Sequence, residues 1–278
     1  MTDRYVVIGN PIGHSKSPAI HALFARETGQ DMHYERLLAP LDGFRATVQS
    51  FRDAGGRGCN VTVPFKFEAF ELAHACSERA QLAQAANTLR FEADGRIVAD
   101  NTDGPGLVRD ITLHAGVPIA GRGVLLLGAG GAASGALASL LQAQPGKLVV
   151  CNRSMGKARE LVERHAPLAQ ALGIELLAQS REELPHGFDM VINSTSSSLA
   201  GEALPIDPHV IRRGTLVYDM MYGPSSEPAL QWARQHGAIA RDGFGMLVEQ
   251  AAEAFFIWRG VRPDTRALMP LLRKELVG

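Results

Sequence analysis

Cysteine is scarce in this chain. Cys59, Cys76 and Cys151 stand far apart and form no CxxC pair and no zinc-ligand spacing. That excludes a disulfide framework, makes a reducing compartment the simplest setting, and leaves each thiol as a small buried side chain. An excess of charge is missing too: 28 Lys and Arg against 29 Asp and Glu give a net charge of −1, with a sequence pI near 6.8. A partner such as nucleic acid or an anionic membrane calls for a basic excess, so neither is expected. No stretch approaches the roughly 18 consecutive apolar residues of a membrane-spanning helix. The apolar run at residues 6–8 is far too short for a signal-peptide core, and a cytoplasmic protein is expected. The nine histidines form no HExxH or similar set, so no metal site is expected. Internal repeats, low-complexity tracts and like-charge blocks are likewise absent.

What is present reads as folded α/β. Hydrophobic residues make up 46% and charged residues 21%, which excludes disorder as the main description. At roughly 150 residues per domain, the length suggests two domains or one large one. In the first part, residues 5–9 read as a buried strand, and Ser17-Pro18 opens a helix with Ser17 as its N-cap and Gly29 as its C-cap. A strand near 33–38, a helix near 41–54 and a strand at 58–63 stopped by Pro64 follow, then a helical pattern over 65–84. Residues 88–92 and 96–99 suggest a hairpin turning at Asp94-Gly95, and a helix runs from 103–106 to about residue 114. The glycine cluster at 116–123 marks a change of style. Residues 124–127, 148–150, 190–192 and 216–218 are apolar runs without alternation. Such runs suit parallel strands buried on both faces, and the helical stretches between them argue for a doubly wound sheet. Residues 244–278 read as two helices split by Arg262-Pro263-Asp264, with Thr265 as a cap.

The first of these apolar runs leads directly into Gly128-Ala129-Gly130-Gly131-Ala132-Ala133 and then a helix. This is GxGxxA in the strand–turn–helix context of a dinucleotide fingerprint. The first glycine permits the tight turn, the second lets backbone approach a pyrophosphate, and the helix N-terminus offers free N–H groups to phosphate. A plain structural turn is the alternative. In NAD-binding units a carboxylate about 20 positions on binds the ribose 2′-hydroxyl. Here the next strand ends in Asn152-Arg153-Ser154, with Lys157 one turn later and no carboxylate. A guanidinium pairs with a 2′-phosphate, which favours NADP(H) over NAD(H). The alternative is that Arg153 only begins an exposed helix.

Three further blocks lie at strand ends, where open α/β sheets bind ligands. Residues 9–18 (GNPIGHSKSP) hold two hydroxyls, Ser15 and Ser17, which suit a carboxylate or polyol, or else merely cap a helix. Residues 60–66 (NVTVPFK) end in Lys66, one of only five lysines beside 23 arginines. Residues 101–104 (NTDG) supply Asp103, and Asn87-Thr88 adds an amide and a hydroxyl. Each alone has a structural explanation; their joint occurrence points to a site.

These blocks, with ANT at 86–88, INSTS at 192–196, YDMMY at 218–222 and DGFGMLVEQAA at 242–252, resemble the shikimate dehydrogenases in order and spacing over nearly the whole chain. The resemblance implies an N-terminal substrate-binding α/β domain, residues 1–103 and 244–278, and a Rossmann-like NADP-binding domain, residues 104–243. A cleft separates them, and the C-terminal helices return to the first domain. It implies reversible, NADP-linked interconversion of 3-dehydroshikimate and shikimate, a step toward chorismate and the aromatic amino acids. Ser15 and Ser17 then correspond to carboxylate ligands, and Thr62, Asn87 and Gln250 to ligands of the ring hydroxyls and carboxylate edge. Tyr222 corresponds to a substrate contact, and Lys66 and Asp103 to the catalytic pair. Gly128, Ala129, Gly130, Gly131, Ala132, Asn152, Arg153, Ser154, Lys157, Thr195, Met220, Gly243 and, more distantly, Glu78 correspond to cofactor contacts. A small-molecule substrate is implied, and a monomer or homodimer is expected, although the sequence itself does not give the oligomeric state. His14 is expected to shape the serine loop rather than carry a proton. Ser198, Ser226-Glu227 and Ser154 depart from residues frequent in the family. A quinate/shikimate dehydrogenase of broader cofactor use and a non-catalytic sensor of shikimate or NADP(H) remain alternatives, with a methylene-tetrahydrofolate-type dehydrogenase further off.

Overall fold

A computed structural model describes residues 2–195, 197 and 201–277. The chain divides into two compact units, Met1–Gly106 with Leu247–Gly278, and Leu107–Met246. Ser198 lies outside the described residues.

In the first unit β1 (Asp3–Gly9), β2 (Met32–Leu38), β3 (Gly56–Val61), β4 (Ala75–Cys76), β5 (Thr88–Phe91) and β6 (Ile97–Asp100) form one sheet in the order 2-1-3-5-6-4. β1 is parallel to β2 and β3, whereas β5 is antiparallel to β3 and β6. The central strand β1 is buried from Tyr5 to Gly9 because both its faces are covered. Val6 and Ile8 join Phe44, Val48 and Phe65 on one side. Tyr5 and Val7 join Ile12 and Tyr34 on the other. The helices are α1 (Ser17–Thr28), α2 (Phe44–Asp53), α3 (Lys66–Leu72) and α4 (Glu78–Ala83), and α5 (Asp103–Arg109) leads out of the unit.

The expected long helix over 65–84 is in fact α3, the short strand β4 and α4. Ser77 breaks the run by capping α4, its hydroxyl accepting from the Ala80 N–H, while β4 pairs with β6 at the sheet edge. Ser17 is the first residue of α1 rather than its cap, which is Lys16; Gly29 does close that helix at φ +65°. α5 runs on into a π-helical turn, Asp110–His114.

The second unit is built from β7 (Gly123–Leu127), β8 (Lys147–Cys151), β9 (Glu175–Gln179), β10 (Phe188–Asn193), β11 (Ile211–Asp219) and β12 (Ile239–Arg241), in the order 12-11-10-7-8-9. All the pairings are parallel. The strand order reverses between β7 and β10, the arrangement of a Rossmann sheet, whose ligands lie beyond the carboxyl ends of the strands at that reversal. α6 (Gly131–Gln142), α7 (Met155–Ala171) and α8 (Glu227–Gln235) cover it. The four apolar runs are its four inner strands. β9 and β12 are edge strands with half-exposed residues, and their patterns carry no continuous apolar signal.

The chain then returns to the first unit through α9 (Phe244–Arg259) and α10 (Thr265–Leu276). Trp258 of α9 donates its indole N–H to the Leu89 carbonyl at 3.1 Å. A β-carbon at Gly58 would lie 2.7 Å from that indole nitrogen, so glycine is required there. α10 is capped by Asp264, which accepts from the Arg266 and Ala267 N–H groups. Thr265, the expected cap, is buried and donates instead to Glu249 at 2.5 Å.

Candidate active site

Topology gathers the polar blocks of the first unit at one end of its sheet. β1 and β3 are parallel, so the loops that leave them at Gly9 and Val61 emerge together. β5 runs the other way and begins there at Thr88, and β6 reverses again to end there at Asp100, opposite Thr88. Gly9 permits the first two loops to lie in contact: a β-carbon on it would sit 2.5 Å from Thr62 Cγ2.

Lys66 is the first residue of α3 and Asp103 the first of α5. Lys66 Nζ donates to Asp103 Oδ2 at 2.5 Å, with the two side chains only 17% and 8% exposed. Charges so withdrawn from water are tolerated when each is paired and further hydrogen-bonded. Asp103 Oδ1 accepts from Asn87 Nδ2 at 2.9 Å, and the Asp103 N–H donates to Asn101 Oδ1 at 3.1 Å. Asn87 Nδ2 also reaches Thr102 Oγ1 at 3.0 Å and Gln250 Oε1, on α9, at 3.4 Å. Residues 66, 87, 103 and 250 thus form one cluster although they span most of the chain.

The serine loop stands beside Thr62 at the same sheet end. Ser15 Oγ accepts from the Ser17 N–H at 3.3 Å, and Ser17 is buried. His14 is exposed. The loop is shaped by its own backbone, the Ser15 N–H donating to the Ile12 carbonyl at 3.1 Å, and by Arg36, which donates to the Ser15 carbonyl from Nε at 2.9 Å and from Nη2 at 2.5 Å. Arg36 carried no sequence signal, being one of many arginines on a half-exposed strand.

In the second unit the parallel strands bring the other residues to their shared carboxyl edge. Gly128 follows β7 at φ +109°, and a β-carbon there would lie 2.4 Å from Ser194 Oγ, so only glycine fits. Gly130 differs: a β-carbon there meets nothing within 4 Å. The protein's own contacts do not demand glycine at 130, whereas a pyrophosphate laid against the turn does. Ala129, Gly131 and Ala132 stay partly exposed around it, and Ala133 is buried. Beyond β8, Asn152 Nδ2 donates to the Ser154 carbonyl at 3.0 Å, and Arg153, Ser154 and Lys157 are exposed. After β10, Thr195 Oγ1 donates to Asn193 Oδ1 at 2.7 Å. After β11, the Met220 N–H donates to the Asn193 carbonyl at 2.9 Å. A β-carbon on Gly243 would lie 2.2 Å from the Met220 carbonyl oxygen. Tyr222 rests edge-on against Phe244, 6.2 Å between centroids, and burial pushes its phenol pKa up. The turn, the open space at Gly130 and the cations after β8 fit a phosphorylated dinucleotide. Glu78 is exposed at the start of α4, in the other unit from that turn.

Residues 7–89 match the shikimate dehydrogenase substrate binding domain, residues 113–200 match shikimate / quinate 5-dehydrogenase, and residues 243–273 match the shikimate 5'-dehydrogenase C-terminal domain. The chain is 59% identical over 274 residues to the shikimate dehydrogenase (NADP(+)) of Acidovorax sp. (strain JS42), covering 99% of this chain and 97% of that one. This chain belongs to the shikimate dehydrogenase family. Among solved members, shikimate 5-dehydrogenase from Thermus thermophilus in complex with shikimate superposes with a TM-score of 0.84 at 31% identity, over 99% of each chain. An Ael1 enzyme from Pseudomonas putida gives a TM-score of 0.90 at 52% identity, over 97% of this chain and 98% of that one.

Two side chains in this shikimate dehydrogenase fold escaped the sequence reading altogether. Arg36 is one. Tyr34, the sole buried residue of β2, is the other; its hydroxyl donates to Asn60 Oδ1 at 2.7 Å. A tyrosine at the one inward position of a strand needs a hydroxyl partner, and that was the available clue.

Proposed function

We propose that this protein is an NADP-dependent shikimate dehydrogenase that reversibly reduces 3-dehydroshikimate to shikimate, on the route to chorismate. The observation that carries the reading is the Lys66–Asp103 pair, 2.5 Å apart and set among Asn87 and Gln250, within a chain whose relatives bear that name. The first unit is the substrate domain and the second the dinucleotide domain. Ser15 and Ser17 bind the substrate carboxylate, Thr62, Asn87 and Gln250 bind its hydroxyls and carboxylate edge, and Tyr222 adds a contact. The residues 128–132, 152–154, 157, 195, 220 and 243 hold the cofactor, with a weaker case for Glu78.

The bound nicotinamide supplies or accepts a hydride at the carbon of the reacting carbonyl or alcohol. Lys66 donates a hydrogen bond to the reacting oxygen and stabilises the charge that develops there; it or a relay it anchors moves the proton. Asp103 keeps Lys66 in place and accepts from a neighbouring hydroxyl. Arg153, with Ser154 and Lys157, pairs with the 2′-phosphate of NADP(H). A cytoplasmic location and a monomeric or dimeric state belong to the same proposal and are checked by fractionation and light scattering.

The deciding experiment is initial rate with shikimate and with quinate, each against NADP⁺ and NAD⁺. A strong preference for shikimate with NADP⁺ is expected. Comparable rates with quinate or NAD⁺ reassign the protein to the broader quinate/shikimate class, and binding without turnover makes it a sensor.

A further inference from the structure

A buried amide has a donor end and an acceptor end, so a chain of amides and hydroxyls works only when each member points one way. Behind Lys66 and Asp103, that direction is set at two backbone groups. The Asn87 carbonyl only accepts, so Asn60 turns its Nδ2 to it at 3.1 Å, and the same Nδ2 donates to Thr88 Oγ1 at 3.0 Å. Asn60 Oδ1 is then left to accept, and its donor is the Tyr34 hydroxyl at 2.7 Å. At the other end, the Thr102 N–H only donates, so Asn87 turns Oδ1 to it at 2.8 Å. Thr88 Oγ1, having accepted from Asn60, gives its own proton to that Oδ1 at 3.0 Å. Asn87 Nδ2 therefore faces Asp103 Oδ1, and Asp103 Oδ2 faces Lys66.

We infer that Tyr34 is a positioning residue of the active site: its buried hydroxyl supplies the donor that the Asn60 oxygen, already turned by the Asn87 carbonyl, requires, and so holds Asn60 and, through Thr88, helps hold Asn87 against Asp103. The inference rests on the dehydrogenase reading above and adds to it a residue that touches neither substrate nor cofactor. Tyr34 also meets the Ser17 side chain through its hydroxyl. It stays protonated, because burial holds its phenol pKa well above the ordinary value. Its ring is clamped by the His21 imidazole, stacked at 4.1 Å and 10°. Without the hydroxyl, Asn60 keeps an unpaired buried oxygen, because a flip would set that oxygen against the Asn87 carbonyl. An Asn60 with an unpaired oxygen shifts to find a donor, and the Thr88 hydroxyl that it holds, one of the donors that orient Asn87, shifts with it.

The test compares the wild type with Tyr34→Phe, Thr88→Val, the double variant and Tyr5→Phe, assayed with shikimate and NADP⁺ well below each melting temperature. Tyr5 lies in the same apolar cluster as Tyr34, but its hydroxyl meets Arg259 at 3.5 Å and not the chain to Asn87. Tyr34→Phe is expected to lower kcat about five- to tenfold with KM for NADP⁺ unchanged. Thr88→Val interrupts the same chain, so the double variant falls no lower than the worse single one. Tyr5→Phe keeps the wild-type kcat. Should Tyr34→Phe prove insoluble, Thr88→Val alone must show the kcat loss at unchanged KM for NADP⁺. A wild-type kcat in Tyr34→Phe, multiplying effects in the double variant, or an equal loss in Tyr5→Phe overturns the inference while the functional reading stands. Absence of turnover in the wild type overturns the functional reading itself.

Discussion

The two candidate sites are built in opposite ways. In the first, the polar side chains are already bonded to one another: Lys66 to Asp103, Asp103 to Asn87, Asn87 to Thr102 and Gln250. In the second, the equivalent edge is left open: Gly130 has empty space where a side chain would be, and Arg153 and Lys157 extend into solvent. A group that must steer a proton gains from fixed geometry, since misplacement by about an ångström is enough to slow chemistry. A cofactor that enters and leaves each cycle is served by backbone N–H groups and exposed cations. The contrast predicts that substitutions in the first unit lower kcat, whereas those in the second raise KM for the dinucleotide.

The sharpest break comes at Lys66. Lys66→Ala should lower kcat by about 10³-fold with the substrate KM little changed, because the charge developing on the reacting oxygen loses its donor. Steady-state kinetics check this, and a rise in KM alone would make Lys66 a binding residue instead. Next come two glycines of the same turn with different roles. Gly128→Ala forces a side chain into φ +109° and against Ser194, and should destabilise by roughly 2–3 kcal/mol. Gly130→Ala meets no protein atom, so its unfolding midpoint in urea should match the wild type while KM for NADP⁺ rises about tenfold. Equal losses of stability in both would erase the distinction between a fold glycine and a ligand glycine.

The second unit was the more legible in sequence, for a physical reason. Its inner strands are buried on both faces, so apolar runs such as residues 124–127 announce them, and the turn after β7 is read by backbone geometry that glycine alone supplies. The first unit's chemistry depends on contacts between residues far apart in the chain. Residue types at 66, 87 and 103 flagged candidates through their blocks and a family resemblance, but nothing local says that Asn87 lies between Asp103 and Gln250. Tyr34 and Arg36 act through a hydroxyl and a guanidinium whose partners are 26 and 21 residues away, and no periodicity encodes that. Edge strands β9 and β12 and the two-residue β4 escaped because half-exposed strands lack a one-sided pattern.

His21 tests how dry the floor of the first site is. It is fully buried beside Tyr34, and burial holds its imidazole down to about 3 against an ordinary value of 6.5, although the Asn60 side chain pulls the other way. The folded state thus binds fewer protons than the unfolded chain between those values. The stabilisation is fully present above pH 6.5 and is lost as pH falls toward 3, by about 1.4 kcal/mol per unit, or roughly 2 kcal/mol at pH 5. His21→Phe keeps an aromatic ring against Tyr34 but has nothing to protonate. Urea unfolding at pH 7 and pH 5 should therefore show a smaller acid loss for the variant, by roughly that amount. Equal losses would mean that water reaches His21.

An effect confined to one cofactor belongs to Arg153, and it bears most directly on the open unit. The side chain is exposed, so its hold on a 2′-phosphate competes with solvent and salt. Arg153→Ala should raise KM for NADP⁺ about tenfold and leave kcat unchanged, as expected for removing one charge-assisted hydrogen-bonding partner that acts equally in ground and transition states. KM for NAD⁺, which lacks that phosphate, should not move, and the NADP⁺ effect should shrink as ionic strength rises. If NAD⁺ and NADP⁺ suffer alike, Arg153 acts on the adenine face or on the start of α7 rather than on the phosphate. Cofactor choice would then fall to Ser154 and Lys157, which stand exposed beside it at the same strand end.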